Sequence, residues 1–179
     1  DDVESRGLGD VYKRQHSPAY LKACDEMGLL FWSEAPYWAT AGPKDDGSWT
    51  ASSYPIVEKD CEEFEQSALD QLAEMIRIHR NHPSIVVWSM CNEPFFCADG
   101  TLPGVKKLLT RMVELSHKLD PTRPAAIGGA QRPLGDDRID FLGDIAGYNG
   151  DGGTIADFLN PGIPNFCLLY TSPSPRDST

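Results

Sequence analysis

The sequence predicts an α/β fold built on a parallel sheet, and three observations support this prediction. Strand-like and helix-like segments alternate along the chain, which is typical of parallel α/β folds. Residues 85–88 form an apolar run without alternation, as expected of a strand that is covered on both faces. Pro94 cannot extend a central strand, so this strand ends beside Glu93. In (β/α) barrels the chemistry lies at that carboxyl end of the strands.

The predicted helices rest on apolar side chains at helical spacing and on their end signals. Gly28 is a C-cap for the first helix, and Pro83 forces the chain out of the second helix. The turn at residues 120–124 ends the third helix. Helices are predicted at residues 18–27, 58–80, 105–119 and 155–159.

The predicted strands are short apolar runs bounded by Gly, Pro, Asn or Asp. The segment 36–55 is predicted to be a long loop that carries several aromatic residues, and loops of this length are often functional. Strands are predicted at residues 29–32, 85–89, 125–128, 145–149 and from 164 onward.

The two ends of the chain are related to each other through DNA. Residues 5–15 can be back-translated to a DNA sequence whose reverse complement, read one base in, encodes residues 167–176 without a mismatch. This DNA resembles the transposase adaptor used to prepare sequencing libraries, and such segments do not belong to a native fold. We therefore expect residues 1–15 and 167–179 to be translated adaptor around a natural insert at residues 16–166.

The predicted insert is acidic, because it holds 12 basic and 22 acidic residues and has a net charge of −10. This charge disfavours nucleic acid or an anionic membrane as a partner. No apolar stretch approaches the roughly 18 residues that a membrane span requires. The four cysteines of the insert show no CxxC spacing, and the four histidines show no metal-binding spacing. No metal or cofactor is expected, and the cellular compartment stays open.

Glu93 is the first candidate for catalysis. A carboxyl group at the end of a buried strand is partly withdrawn from water, which favours the protonated form that a general acid requires. Asn92 beside it can offer an amide donor to a substrate hydroxyl. A structural interpretation stays open, in which the sequence Asn-Glu-Pro only ends a strand and begins a turn.

Residues 80–93, with the sequence RNHPSIVVWSMCNE, closely resemble the acid/base segment of glycoside hydrolase family 2. This part of the resemblance is the most specific one, and the whole resemblance covers most of residues 16–166. Further similarity to the family lies at residues 16–29, 33–36, 120–124 and 147–149.

The resemblance implies a partial (β/α)8 TIM barrel at residues 16–166, roughly strands three to six and the start of strand seven. It also implies an exo-acting enzyme similar to β-galactosidases or β-glucuronidases, which cleaves β-glycosidic bonds with retention through two carboxylates. Glu93 would be the acid/base. The nucleophile would lie a few residues past the segment 162–166, but no acidic residue follows there before Asp177. The chain by itself is therefore expected to be inactive.

Four other residues are candidates for binding a sugar. Glu34 follows a predicted strand and can accept hydrogen bonds from sugar hydroxyls, or else pair with a neighbouring Lys or Arg. Tyr148 and Asn149 end another predicted strand and could line a sugar pocket, although the adjacent glycine turn explains them equally well. Trp38 could stack on a sugar face or anchor its loop on the core.

The expected substrate is a β-linked glycoside or oligosaccharide, and two rival functions stay open. One is a related retaining glycosidase, such as a cellulase or a mannanase, because Asn-Glu-Pro also occurs there. The other is a non-catalytic carbohydrate-binding barrel in which Glu93 only bonds a sugar. A homo-oligomeric parent protein is compatible with the family, and the sequence gives neither the sugar nor the oligomeric state.

Overall fold

The computed structural model describes residues 18–38, 40–43, 46–47, 49–129, 135–149 and 161–169. Short 3-10 turns lie at Glu58–Asp60, Gly135–Asp137 and Asp140–Leu142. The helices and strands are, in chain order, α1 (Pro18–Met27), β1 (Phe31–Glu34), β2 (Thr40–Pro43), β3 (Trp49–Ser52), α2 (Cys61–His79), β4 (Ile85–Asn92), α3 (Leu102–Leu119), β5 (Ala125–Gly128), β6 (Ile145–Asn149) and β7 (Asn165–Leu169).

Five strands form one sheet in the order β1-β4-β5-β6-β7, and each neighbouring pair is parallel. The strands β2 and β3 form a separate antiparallel hairpin. Because the five strands are parallel, all their carboxyl ends lie at the same edge of the sheet. The predicted α/β class with a parallel sheet is therefore confirmed.

The sheet is curled into a half-barrel. Trp32 on β1 and Phe166 on β7 belong to the two outermost strands, yet their rings meet edge to face with centroids 5.8 Å apart. Gly147 on β6 leaves room for this contact, because a Cβ there would lie 3.0 Å from Cζ2 of Trp32. Such packing across a curved sheet is typical of the interior of a (β/α) barrel. The predicted partial TIM barrel is confirmed.

The helices cover the sheet from outside and build the main core. α2 packs against α3, and α3 packs against β4 and β5. The central strand β4 is buried along most of its length. Side chains with no exposed surface include Leu72 and Ile76 of α2, Leu108 of α3, and Trp88 of β4. Their burial removes apolar area from water at about 25 cal/mol per Å². No helix within the described ranges is long and apolar enough to cross a bilayer.

The structure differs from the sequence predictions at several places. The predicted loop 36–55 contains the hairpin β2–β3. The first strand begins two residues later than predicted, because Leu29 and Leu30 are 49% and 79% exposed and lie outside the sheet. β7 continues to Leu169, past the predicted end of the insert at Phe166. The predicted helix at residues 155–159 lies outside the described residues.

Candidate active site

The carboxyl ends of four neighbouring strands bring the predicted residues to one edge of the sheet. Glu34 ends β1, Asn92 ends β4, Gly128 ends β5 and Asn149 ends β6. The strand register pairs Glu34 with Ser89, and Asn92 with Gly128. These residues, with Glu93, form a candidate active site at the edge where barrel enzymes carry out their chemistry.

An irregularity in β4 lies directly before the site. Ser89 pairs with Ala126 and Asn92 pairs with Gly128, so three steps along β4 match two steps along β5. The pairing of the two strands is therefore shifted by one residue between Ser89 and Asn92. Irregularities of this kind re-aim side chains and are frequent beside active sites.

Glu93 has an unusual backbone conformation. Its φ angle is +49°, which makes it a non-glycine residue with left-handed backbone within the described part of the chain. Its amide donates a hydrogen bond of 3.0 Å to the carbonyl of Gly128, and its carbonyl accepts one of 3.2 Å from the amide of Phe96. Such strained conformations persist only when surrounding structure holds them, and they cluster at functional sites.

Asn149 joins the two residues of the Asn-Glu pair. Its Nδ2 donates a hydrogen bond of 2.9 Å to Oδ1 of Asn92 and one of 3.0 Å to Oε1 of Glu93. An amide nitrogen has two hydrogens, and these two contacts match them. Asn149 thus orients both the carboxyl group of Glu93 and the amide of Asn92, and this bond across β4, β5 and β6 could not be read from the sequence.

Glu34 ends β1, the strand next to β4, and its carboxylate lies close to Gly128 of β5. Its Oε2 accepts a hydrogen bond of 3.1 Å from Oγ of Ser89 and a longer one of 3.4 Å from Nε1 of Trp32. These contacts hold a carboxylate at the mouth of the half-barrel. Burial, followed by the charge of Glu34, raises the pKa of the Cys91 thiol well above its usual range, so Cys91 is an inert part of the core.

Two glycines at the end of β5 make space for this cluster, and the sequence analysis did not single them out. A Cβ on Gly128 would lie 2.7 Å from Oε2 of Glu34. A Cβ on Gly129 would lie 2.6 Å from Cγ of Glu93 and 3.0 Å from Nδ2 of Asn149. The double glycine at the end of a strand was the signal that could have revealed this close approach.

Tyr148 precedes Asn149 on β6 and is hydrogen-bonded to Asp140. Its side chain is buried, and its hydroxyl donates a hydrogen bond of 2.8 Å to Oδ2 of Asp140. Nε of Arg138 donates one of 2.9 Å to the other oxygen of the same carboxylate. Burial, together with the Asp140 carboxylate, raises the pKa of Tyr148 above its usual range, so the phenol stays protonated.

Trp38 lies in a different environment from Glu93. It is 40% exposed, and it lines a cavity between the loop after β1 and helix α2. The other residues of this cavity include Tyr37, Phe64 and Gln71. A role of Trp38 in sugar binding stays a prediction. Among the described residues, no group of three or more His, Cys, Asp or Glu side chains is arranged to hold a metal ion.

The motif at residues 120–124 has a structural role. Asp120 is buried and accepts hydrogen bonds from Nε1 of Trp88 at 3.0 Å, from the amide of Thr122 at 3.0 Å, and from the guanidinium of Arg123 at 2.6 Å. Burial raises the pKa of Asp120, but the bonds from Thr122, Trp88 and Arg123 outweigh it and lower the pKa to about 2. This network ties the end of α3 to the strand that carries Glu93.

The residues before β4 are also tied to the fold. Oδ2 of Asp25 lies 2.6 Å from Nδ1 of His82, and Oδ1 accepts a hydrogen bond of 3.0 Å from the amide of Ser84. The bonds from Ser84 and His82 outweigh the effect of burial and lower the pKa of Asp25 to about 2. His82 therefore joins α1 to the start of β4.

Comparison with known proteins agrees with this geometry. The chain is 30% identical over 143 residues to the β-glucuronidase of Bacteroides fragilis, covering 76% of this chain and 18% of that protein. It is 33% identical over 153 residues to the β-galactosidase of Thermoanaerobacter pseudethanolicus, covering 83% and 16%. The solved structure of Bacteroides uniformis β-glucuronidase 3 superposes with a TM-score of 0.55 at 28% identity, covering 75% of this chain and 15% of that one.

These relatives are much longer than this chain, which spans less than a fifth of each. The family model described as glycosyl hydrolases family 2, TIM barrel domain, matches residues 13–144. That range contains β1, β4 and β5 and includes Glu34 and the Asn92-Glu93 pair. The chain therefore belongs to glycosyl hydrolase family 2 and is part of the TIM barrel domain of that family.

Proposed function

We propose that the complete enzyme is a retaining, exo-acting β-glycosidase and that Glu93 is its acid/base. The observation that supports this proposal most strongly is the cluster at the carboxyl ends of β4 and β6. There Glu93 is held in a left-handed conformation and receives a hydrogen bond from Asn149. The relatives named above are a β-galactosidase and β-glucuronidases, so the substrate class is a β-linked glycoside.

In the first step, the carboxyl group of Glu93 gives its proton to the glycosidic oxygen as the bond from that oxygen to the anomeric carbon breaks. A second carboxylate attacks the anomeric carbon and forms a covalent glycosyl-enzyme. In the second step, Glu93 removes a proton from water, and the water oxygen displaces the nucleophile. Retaining enzymes hold the two carboxyl groups roughly 5–5.5 Å apart.

The remaining candidate residues have supporting roles in this proposal. Asn92 and Glu34 would hold sugar hydroxyls through hydrogen bonds, and Asn149 would orient Glu93. The nucleophile would follow the segment 162–166, where the sequence has no acidic residue before Asp177. We therefore propose that residues 16–166 supply the acid/base half of the site, and that the present chain is inactive without its partner carboxylate.

The test uses a barrel chimera, in which residues 16–166 replace the matching segment of the complete β-galactosidase of Thermoanaerobacter pseudethanolicus. Glu93→Gln should lower kcat/KM on an unactivated β-glycoside by roughly 10²–10⁴-fold, because the leaving oxygen receives no proton. A dinitrophenyl β-glycoside should lose much less in its glycosylation step, since its leaving group needs no protonation. Glu74→Gln, at an exposed position on α2, is the control.

Unchanged hydrolysis of the unactivated glycoside by Glu93→Gln would contradict the assignment. The complete parent enzyme separates the two rival functions, because the chimera takes the rest of its sugar site from the β-galactosidase. Activity on a polysaccharide but not on simple aryl glycosides would favour a cellulase-like or mannanase-like enzyme. Binding of a sugar without hydrolysis would favour a carbohydrate-binding barrel. In that complete enzyme, comparison of galactosides with glucuronides would identify the sugar.

A further inference from the structure

Two loop segments contact each other beside Glu93. We name residues 52–54, which begin at the last residue of β3, the clamp segment, and residues 93–98, directly after β4, the acid turn. Oγ of Ser53 donates a hydrogen bond to the carbonyl of Pro94, and the amide of Ser53 donates one of 2.8 Å to the carbonyl of Phe96. Oγ of Ser52 accepts one of 3.0 Å from the amide of Ala98. The clamp segment thus contacts the acid turn at three points.

These bonds lie inside the protein. Ser53 is completely buried, Ser52 is 1% exposed, and Pro94 is buried as well. A buried carbonyl that loses its donor is bonded neither to the protein nor to water. Hydrogen bonds of this kind are therefore costly to break. The contacts therefore constrain the acid turn more strongly than surface contacts would.

The clamp segment is itself attached to the helical layer. The hydroxyl of Tyr54 donates a hydrogen bond of 2.6 Å to Oε1 of Glu65 on α2, and Lys107 and Arg111 of α3 form ion pairs with the same carboxylate. The ring of Tyr54 lies over Gly104, where a Cβ would come within 2.5 Å of it. Ser53 is therefore held by α2 and α3 while it bonds the residue after Glu93.

The backbone of Glu93 requires such support. A φ of +49° is unfavourable for a residue with a Cβ, and the carbonyl of Pro94 is bonded by Ser53 one residue further on. If the turn relaxed, the carboxyl group would move away from Nδ2 of Asn149. A misplacement of about 1 Å in a catalytic group can cost on the order of 10²-fold in rate.

We propose that Ser53 is a positioning residue for the acid/base: its hydroxyl fixes the carbonyl of Pro94, the residue next to Glu93, and thereby the direction of the Glu93 carboxyl group. The inference rests on the proposed function of Glu93, and it adds a residue that lies in a different loop and does not touch the substrate. Ser53→Ala removes the hydroxyl, and Ser53→Thr retains it. Ser116→Ala is the matched control, because Ser116 is fully buried and its Oγ has no hydrogen-bond partner in the described structure.

The first measurement is amide hydrogen exchange in the full 179-residue chain. Ser53→Ala should speed exchange at the amides of Glu93 and Phe96 by about tenfold or more through local opening, while the amides of α2 keep their rates. Ser53→Thr and Ser116→Ala should leave all these rates near those of the unmodified chain. Equal exchange rates of the Glu93 amide in Ser53→Ala and in the unmodified chain would contradict the proposed role of Ser53, regardless of the kinetic result.

The second measurement is kinetic and uses the barrel chimera. Ser53→Ala should lower kcat on an unactivated glycoside by about 10- to 100-fold, with KM little changed and with a much smaller loss on a dinitrophenyl glycoside. Ser53→Thr should restore most of the rate. Equal losses on both substrates would show a merely structural role and overturn the inference. If Glu93→Gln itself showed no dependence on the leaving group, the proposed function would fail instead.

Discussion

At the scale of single residues, the site depends on close packing around Glu93. The carboxyl group contacts Asn149 from β6, and its backbone contacts Gly128 from β5. Gly129 has a φ of +63° and no side chain, and this leaves the space that Glu93 and Asn149 occupy. The position of the Glu93 carboxyl group thus depends on the missing side chain of Gly129 as much as on the hydrogen bonds.

Gly129→Ala tests this dependence on space in the barrel chimera. The added Cβ would lie 2.6 Å from Cγ of Glu93, so we expect the carboxyl group to move and kcat on an unactivated glycoside to fall about 10- to 100-fold. Gly135→Ala is the control, since Gly135 has a similar φ of +61° but nothing within 4 Å of a Cβ. Equal kinetics of the two variants would show that backbone strain alone, and not the contact with Glu93, governs the effect.

The sequence could predict only part of this site. Glu93 and Asn92 were predicted because a buried strand ends at Pro94, and Glu34 and Asn149 because they follow other strands. The double glycine could have indicated a close approach, but its partner Glu93 could not be predicted, nor could the contact of Ser53 with Pro94, because the residues of each pair are more than 30 positions apart. Local patterns do not record which strand ends come into contact.

At the scale of elements, β4 is the central strand and is fixed at both ends. The guanidinium of Arg123 donates hydrogen bonds of 2.7 Å to the carbonyl of Ile85 and 3.0 Å to that of His82. The carboxylate of Asp120 accepts one from Nε1 of Trp88. At the other end of β4, the backbone amide of Asn92 donates a hydrogen bond of 2.8 Å to the carbonyl of Tyr37. The strand that leads to the acid is therefore held by the turn after α3 at its start and by the loop after β1 at its end.

Asp120→Asn tests the anchor at the start of β4. The folded-state pKa of Asp120 is lowered to about 2 from an ordinary value of 3.8. A lowered pKa stabilises the folded state above pH 3.8, and this stabilisation is lost as the pH falls from about 4 towards 2. We expect the variant to lose about 1–2 kcal/mol in free energy of unfolding at pH 7.

The measurement is urea unfolding of the 179-residue chain at several pH values, followed by tryptophan fluorescence. The difference between the unmodified chain and Asp120→Asn should shrink as the pH approaches 2. Asp99→Asn, at an exposed position in the loop after β4, should show no such difference. A difference that stayed constant down to pH 2 would mean that the Asp120 charge does not contribute.

The elements were predicted with uneven success, for physical reasons. α1 was predicted with its observed bounds, because apolar residues at helical spacing end at Gly28. α3 begins three residues earlier than predicted, with Pro103 in its first turn, where proline is tolerated. The hairpin β2–β3 was missed because Thr40–Pro43 and Trp49–Ser52 are short and lack a clear apolar alternation.

At the scale of the whole molecule, the half-barrel gathers the strand ends into one site. The alternation of strands and helices predicted the parallel sheet, and the family resemblance predicted its curvature. The contact between Trp32 and Phe166 shows that curvature. The proposed retaining mechanism needs a second carboxylate, which the family resemblance implies on a later strand, so the complete barrel is the unit in which Glu93 would act.

The most direct test of the central claim is azide rescue of Glu93→Ala in the barrel chimera, with a dinitrophenyl β-glycoside as substrate. If Glu93 is the acid/base of a retaining enzyme, azide enters the space of the missing carboxyl group and attacks the glycosyl-enzyme from that face. The account predicts faster turnover with azide and a β-glycosyl azide as product. No acceleration by azide, or an α-glycosyl azide as product, would contradict it.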